Sequence, residues 1–236
     1  NGSYRLLATD GTEVHQPTPV SDRTVTLTAG ARADVEVTVP SDGTAVRVQL
    51  SKATAVIIGP PGADAAAAAQ PTTELDLLSY GTPAPLGFDA AHPTRRFEYR
   101  IGRRPGFVKG RPGVWWSING HLYPDVLMYV VREGDVAVMH IDNHSGEIHP
   151  MHLHGHHVVV LARNGVTASG SPWWVDSLNV LPGETYDIAF VANNPGIWMD
   201  HCHNLKHAAQ GMIAHLMYEG FDTPYRIAGP ADNQPE

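Results

Sequence analysis

The chain has 236 residues, with 16 Lys+Arg against 24 Asp+Glu and a formal net charge of −8 with histidine neutral. No basic run occurs, which argues against a nucleic-acid partner, and no apolar stretch is long enough for a membrane span. Nineteen Pro and 23 Gly interrupt apolar, β-branched segments, a pattern that predicts an all-β chain with many turns.

Strand-like text begins at Tyr4–Ala8 and turns at Asp10-Gly11. It resumes at Thr24–Thr28, Ala33–Val39 and Ala45–Leu50. Four short strands are few for a closed sandwich, so residues 1–50 read as the C-terminal part of a β-domain. The breaker cluster Gly59-Pro60-Pro61-Gly62 and the alanine run Ala65–Ala69 mark residues 51–95 as an inter-domain linker. Strands then recur at short spacing: Phe97–Ile101, Trp115–Asn119, Val126–Arg132, Val136–Ile141, His157–Ala162, Trp173–Val180, Thr185–Val191, Ile197–His203 and Met212–Tyr218. Residues 96–236 are therefore expected to form one complete Greek-key sandwich or barrel.

Chemistry concentrates in two places. Of 14 histidines, seven lie between His140 and His157 and three more between His201 and His207. The second group surrounds the only cysteine, in His201-Cys202-His203 followed by His207 and Met212. A single cysteine makes no internal disulfide. On a strand, neighbouring side chains point to opposite faces, so Cys202 is expected on one face with His201 and His203 on the other. The first group contains His149-Pro150-Met151-His152-Leu153-His154, in which His152 and His154 share a face and His149 takes the other. One half of this inventory is His149, Cys202, His207 and Met212, the His2Cys set with a weak axial Met that suits blue copper. The other half is four imidazoles, His152, His154, His201 and His203. Neither half recruits a carboxylate, unlike a hydrolytic His2Glu zinc site.

These two motifs, with Trp115–His154 and Trp174–His203 leading into them and Ala29–Val37 near the start, resemble the C-terminal portion of the multicopper oxidases, the laccase-like family. The resemblance implies a cupredoxin-like fold: the end of a middle domain followed by a complete C-terminal domain. It implies type 1 copper on His149, Cys202 and His207 with Met212 axial, type 2 copper on His152, and a type 3 pair on His154, His201 and His203. It implies an electron bridge through Cys202, His201 and His203 from a reducing substrate at the His207 edge to O2. The substrate would be a phenol, an aromatic amine or a metal ion. The six methionines do not cluster along the chain, which favours organic donors. The family's remaining cluster ligands come from two His-x-His motifs of an N-terminal domain. No second such pair exists among His15, His92, His121, His140, His144, His156, His157 and His215. The N-terminal domain of the same oxidase is therefore an expected partner, and this portion alone is expected to be inactive. An extracytoplasmic setting, periplasmic or secreted, is implied as well.

Two other readings stay open beside the oxidase. A type 1 copper module for electron transfer needs only His149, Cys202, His207 and Met212. A nitrite-reductase-like enzyme needs one histidine beside the cysteine, whereas Cys202 has two. At the position where several family members carry an acid before the second type 1 histidine, this chain has Lys206. Asp176 and Asp200 read as solvated or structural, with orientation of an imidazole as the alternative. Met151, Met199, Met217 and the tryptophans Trp115, Trp116, Trp173 and Trp174 read as packing.

Overall fold

A computed structural model describes residues 2–224. Its elements in chain order are β1 (Tyr4–Thr9), β2 (Thr12–Glu13), β3 (Ala33–Val37), β4 (Val46–Gln49), β5 (Ala55–Ile58), β6 (Arg95–Val108), β7 (Arg111–Ile118), β8 (Leu127–Val131), β9 (Val136–Asn143), β10 (His149–Leu153), β11 (Val158–Arg163), β12 (Val166–Thr167), β13 (Trp173–Val175), β14 (Ser177–Val180), β15 (Thr185–Val191), β16 (Ile197–Cys202), α1 (Leu205–Ala209) and β17 (Ile213–Tyr218). The all-β expectation holds. β6 to β17 form a cupredoxin-like sandwich of two sheets, one ordered β12-β11-β15-β9-β6-β7 with β13 paired to β11, the other β14-β10-β16-β17-β8.

Alternation builds the core between the sheets. Tyr99, Ile101, Met139, Ile141, Val158, Val160, Ile188 and Phe190 face inward from the first sheet. Met151, Leu178, Val180, Cys202, Ala214, Leu216 and Tyr218 meet them from the second. The residues between them on β9, β11 and β15, Val138, Val159 and Ala189, face outward and are covered by Leu86, Phe88, Leu161 and Trp174.

Several local expectations change. Trp173–Val180 is two strands in different sheets, broken at Asp176. His149–Leu153 is a full strand, and a short helix, α1, follows Cys202. Strand β16 stops at Cys202, although His203 N–H still donates to Pro150 O at 2.7 Å. Thr24–Thr28 holds only an isolated bridge from Thr24 to Glu74. The expected linker contains β5, which pairs with β4.

The N-terminal sheet β2-β1-β3 meets the sandwich at β13 and the break between β13 and β14. Its anchor is Asp10, 2% exposed. The Asp10 carboxylate accepts from the backbone N–H of Arg32 at 2.8 Å, Asp176 at 2.9 Å and Ser177 at 3.2 Å. Arg32 in turn grips Asp176 with both terminal nitrogens, at 3.0 and 2.7 Å. Asp176 is thus far from solvated: it is tied into the junction. Replacing Asp10 by Ala strands three N–H groups, that of Ser177 buried and the other two partly buried, and is expected to destabilise the chain by roughly 2–4 kcal/mol. Asp10→Asn, which keeps an acceptor oxygen, is expected to lose less. Urea denaturation of the three proteins measures the difference.

Candidate metal centre

Strands β10 and β16 lie side by side in the middle of the five-stranded sheet, with Met151 opposite Cys202 and His152 opposite His201. Successive side chains alternate faces, so this one ladder carries two separate sites. Cys202 and His149 turn toward the sandwich core; His152 and His201 turn to the outer face.

On the core side three groups converge. Cys202 Sγ is 3.6 Å from His149 Nδ1 and 3.9 Å from His207 Nδ1, and the two Nδ1 atoms are 3.2 Å apart. All three residues are buried, and their ligand atoms lie within 4.8 Å of one another. His207 comes from α1, which turns the chain back under the thiol. Met212 is fully buried in the same cluster; its N–H donates to His207 O at 3.1 Å and its carbonyl accepts from Cys202 N–H at 3.4 Å.

Hydrogen bonds fix which nitrogen of each ring is free. Ser145 Oγ donates to Asn143 Oδ1 at 2.7 Å, so at 2.6 Å it accepts from His149 Nε2. Glu147 Oε2, acceptor only, sits 3.3 Å from His207 Nε2. Asn204 Nδ2 also meets His207 Nε2, at 3.1 Å. His149 therefore carries its proton on Nε2, and both rings are held at Nε2 with Nδ1 turned toward Cys202. Asn143, fully buried, holds this β9–β10 turn through the carbonyls of Glu147 and Val180 at 2.8 and 3.0 Å. Burial pushes the Cys202 thiol up to about 12, against the pull of the Asn204 N–H. It holds His149 down at about 4, with neighbouring His207 adding to the effect. A buried neutral thiol with two imidazole Nδ1 atoms turned toward it is a site that a soft, thiolate-binding metal completes by displacing the proton.

Trp116, which the sequence suggests is only packing, roofs this site. Its ring lies 4.3 Å from that of His207 and 4.9 Å from that of His149. The Arg103 guanidinium sits 3.8 Å above the indole and pairs with Glu147.

On the outer face four imidazoles gather. Ring centroids are 4.7 Å apart for His152 and His154, 4.9 Å for His152 and His203, and 5.1 Å for His201 and His203. His154 Nε2 and His201 Nε2 approach to 2.9 Å. Here the ring nitrogens exchange roles: His152 Nδ1 donates to Asp176 O at 2.6 Å and His201 Nδ1 to Cys202 O at 3.1 Å, so neither Nε2 carries the ring proton, and that of His201 meets His154. The turn at Gly30 presses on this group. A Cβ there would lie 2.7 Å from Ser177 Oγ and 2.8 Å from His203 Nε2, and φ is +88°. Asp200, on the core-facing side beside His201, is also buried rather than solvated, and burial pushes its carboxyl up to about 7 while the nearby Tyr99 hydroxyl opposes this.

The sequence model of the multicopper oxidases matches residues 92–220, more than half of the chain. The chain belongs to the multicopper oxidase family. Multicopper oxidase MmcO of Mycobacterium tuberculosis is 36% identical over 103 residues, 44% of this chain and 20% of that protein. The chain thus spans about a fifth of the length of that relative. Among solved structures, Fet3p, a multicopper oxidase that functions in iron import, superposes with a TM-score of 0.67 at 17% identity, over 93% of this chain and 52% of Fet3p. A laccase from Pediococcus acidilactici gives 0.64 at 24% identity, over 94% of this chain and 45% of that one. At these identities the two structures speak for the fold alone. Family membership implies copper, and the His149–Cys202–His207 triad of a multicopper oxidase offers donors that fit it.

The buried imidazoles also set an acid limit. His149 and His201 are each held near 4, the latter by burial against its bond to Cys202 O, from an ordinary 6.5. A depressed histidine pKa leaves stability intact above about pH 6.5 and removes it as pH falls toward 4, because only the unfolded chain takes up the proton there. Asp200 acts in the opposite sense and offsets one of the two. His149 and His201, net of Asp200, are expected to contribute a loss on the order of 2–3 kcal/mol across that window in the metal-free chain. Asp200→Asn should steepen the loss, as seen by urea midpoints at a series of pH values.

Proposed function

We propose that this chain is the electron-accepting portion of a copper oxidase, with type 1 copper on His149, Cys202 and His207 and Met212 as axial ligand. His152 is assigned to type 2 copper, and His154, His201 and His203 to the type 3 pair. The observation that carries this reading is the shared β10–β16 ladder, with a thiol–diimidazole triad on one face and four imidazoles on the other. Copper bound at these sites supplies one-electron oxidation of a donor coupled to four-electron reduction of O2 to water.

The chain's own residues do three things for that chemistry. Cys202 is bonded through one peptide link to His201 and through another to His203, so the two sites share a covalent route with no gap. The His207 Nε2 edge, next to half-exposed Glu147 and Arg103, is where a small reducing substrate can approach. Trp116 and the apolar core exclude water from the thiol. We read residues 1–50 as the end of a preceding cupredoxin-like domain, 51–95 as the connection and 96–236 as the copper domain. The remaining cluster imidazoles then come from an N-terminal domain of the same oxidase, in an extracytoplasmic setting.

Reconstitution with Cu(II) tests the assignment. One strongly coloured Cys–Cu(II) centre per chain is expected. Cys202→Ser should abolish the colour and His152→Ala should leave it intact. Steady O2 reduction to water by the 236-residue chain alone would overturn the incomplete-cluster reading. Replacing Glu147 by Gln removes a negative charge beside His207 Nε2. The type 1 reduction potential is expected to rise, by the equivalent of roughly 1 kcal/mol for a half-exposed charge, as read by redox titration.

A further inference from the structure

Three of the six methionines meet on one sheet face around one histidine. The strands β16, β17 and β8 are neighbours, antiparallel then parallel. Met199 on β16 is opposite His215 on β17, and His215 is opposite Met128 on β8. Directly paired residues share a face, with Cβ atoms about 5 Å apart, so these three side chains stand in one row. Met217, two residues beyond His215, projects from the same face. That face is the outer one, since Ala214 and Leu216 point into the core. The row is therefore separated by the sheet itself from Met212 and Cys202.

His215 is 8% exposed, and its Nδ1 is a buried nitrogen with no hydrogen-bond partner among the described residues. Leaving such an atom unpaired is unfavourable. Burial holds the ring below its ordinary pKa, so it stays neutral with a lone pair available. The groups flanking it in the row are two thioethers, weak as hydrogen-bond partners but good ligands for soft metals. Thioether side chains have three rotatable bonds and can close on a shared point. No carboxylate stands in the row, so hard divalent cations have nothing to bind. Met128, 41% exposed, brings the row to the surface at its β8 end.

We propose that Met199, His215 and Met128, with Met217 at the margin, form a binding site for a soft monovalent metal ion, Cu(I). Two thioethers and one imidazole are a donor set matched to that ion, and the metal gives the buried Nδ1 the partner the protein withholds. The site shares no residue with the ligand assignments above; Met199 stands two residues from His201 on the same face of β16.

Ag(I), closed-shell and redox-inert, is the probe. It is titrated into the Cys202→Ser chain, labelled with 13C at the methionine methyl groups, so that the thiol does not compete. The methyl signals of Met199 and Met128 are expected to shift and to saturate with one Ag(I), while those of the core residues Met139 and Met151 stay in place. Met199→Leu keeps the side-chain volume and is expected to weaken this binding at least tenfold; His215→Leu should do the same. The proposal is overturned if the Met199 and Met128 methyls do not move on saturation. It is equally overturned if Met199→Leu binds Ag(I) as tightly as its parent.

Discussion

Everything in this domain depends on the two-residue period of a β-strand. Of two adjacent strands, β16 carries ligand-type side chains at consecutive positions, His201 and Cys202, and β10 carries them three apart, at His149 and His152. In a helix those positions would splay around an axis. In a paired ladder they sort cleanly into two faces, and the register Met151–Cys202 and His152–His201 decides which residues share one. A slip of one residue would exchange the faces. Register is held from both sides, by β14 beyond β10 and by β17 beyond β16. The central place of these strands in the sheet is thus part of the chemistry.

The second constraint is hydrogen bonding that selects a ring nitrogen. The core-side histidines are held at Nε2 and turn Nδ1 toward Cys202; His152 and His201 on the outer side are held by Nδ1 and turn Nε2 toward the imidazole cluster. The holding groups come from the β9–β10 turn, from the Asp176 carbonyl at the break between β13 and β14, and from the ladder backbone. Asp176 links this to the N-terminal sheet, because Asp10 and Arg32 fix the very segment whose carbonyl orients His152. Docking of the N-terminal sheet and alignment of an outer-face ligand are therefore one structural event.

The sequence made the ligands legible because metal chemistry demands rare residues at fixed spacing. A lone cysteine between two histidines, and His152 and His154 two apart, are read directly from period-two geometry. What surrounds them was not legible. Trp116 is more than 30 positions from His149 in the chain, and only the β6–β7 hairpin brings it over the rings. Nothing in the sequence marks Glu147 as the neighbour of His207 Nε2. Helix α1 is five residues long, too short to show a helical period, yet it delivers His207. The methionines show the same limit. Met128, Met199 and Met217 are far apart along the chain and close in the sheet, because β17 pairs with β8 in parallel across a long crossover.

The burial of so many imidazoles has a thermodynamic consequence. His149, Cys202 and His207 sit in a core otherwise made of Val, Leu, Ile and aromatic side chains. Apolar groups there would stabilise the fold without any partner. Instead, burial pushes the thiol up and the imidazoles down, so the metal-free chain holds both neutral and gains little from them. A metal that takes the thiolate and two lone pairs binds the folded chain and finds no such arrangement in the unfolded one. Its binding energy then adds to folding. The polar cluster that weakens the empty sandwich is the one that ties the loaded sandwich together, which makes metal loading and stability two readings of a single equilibrium.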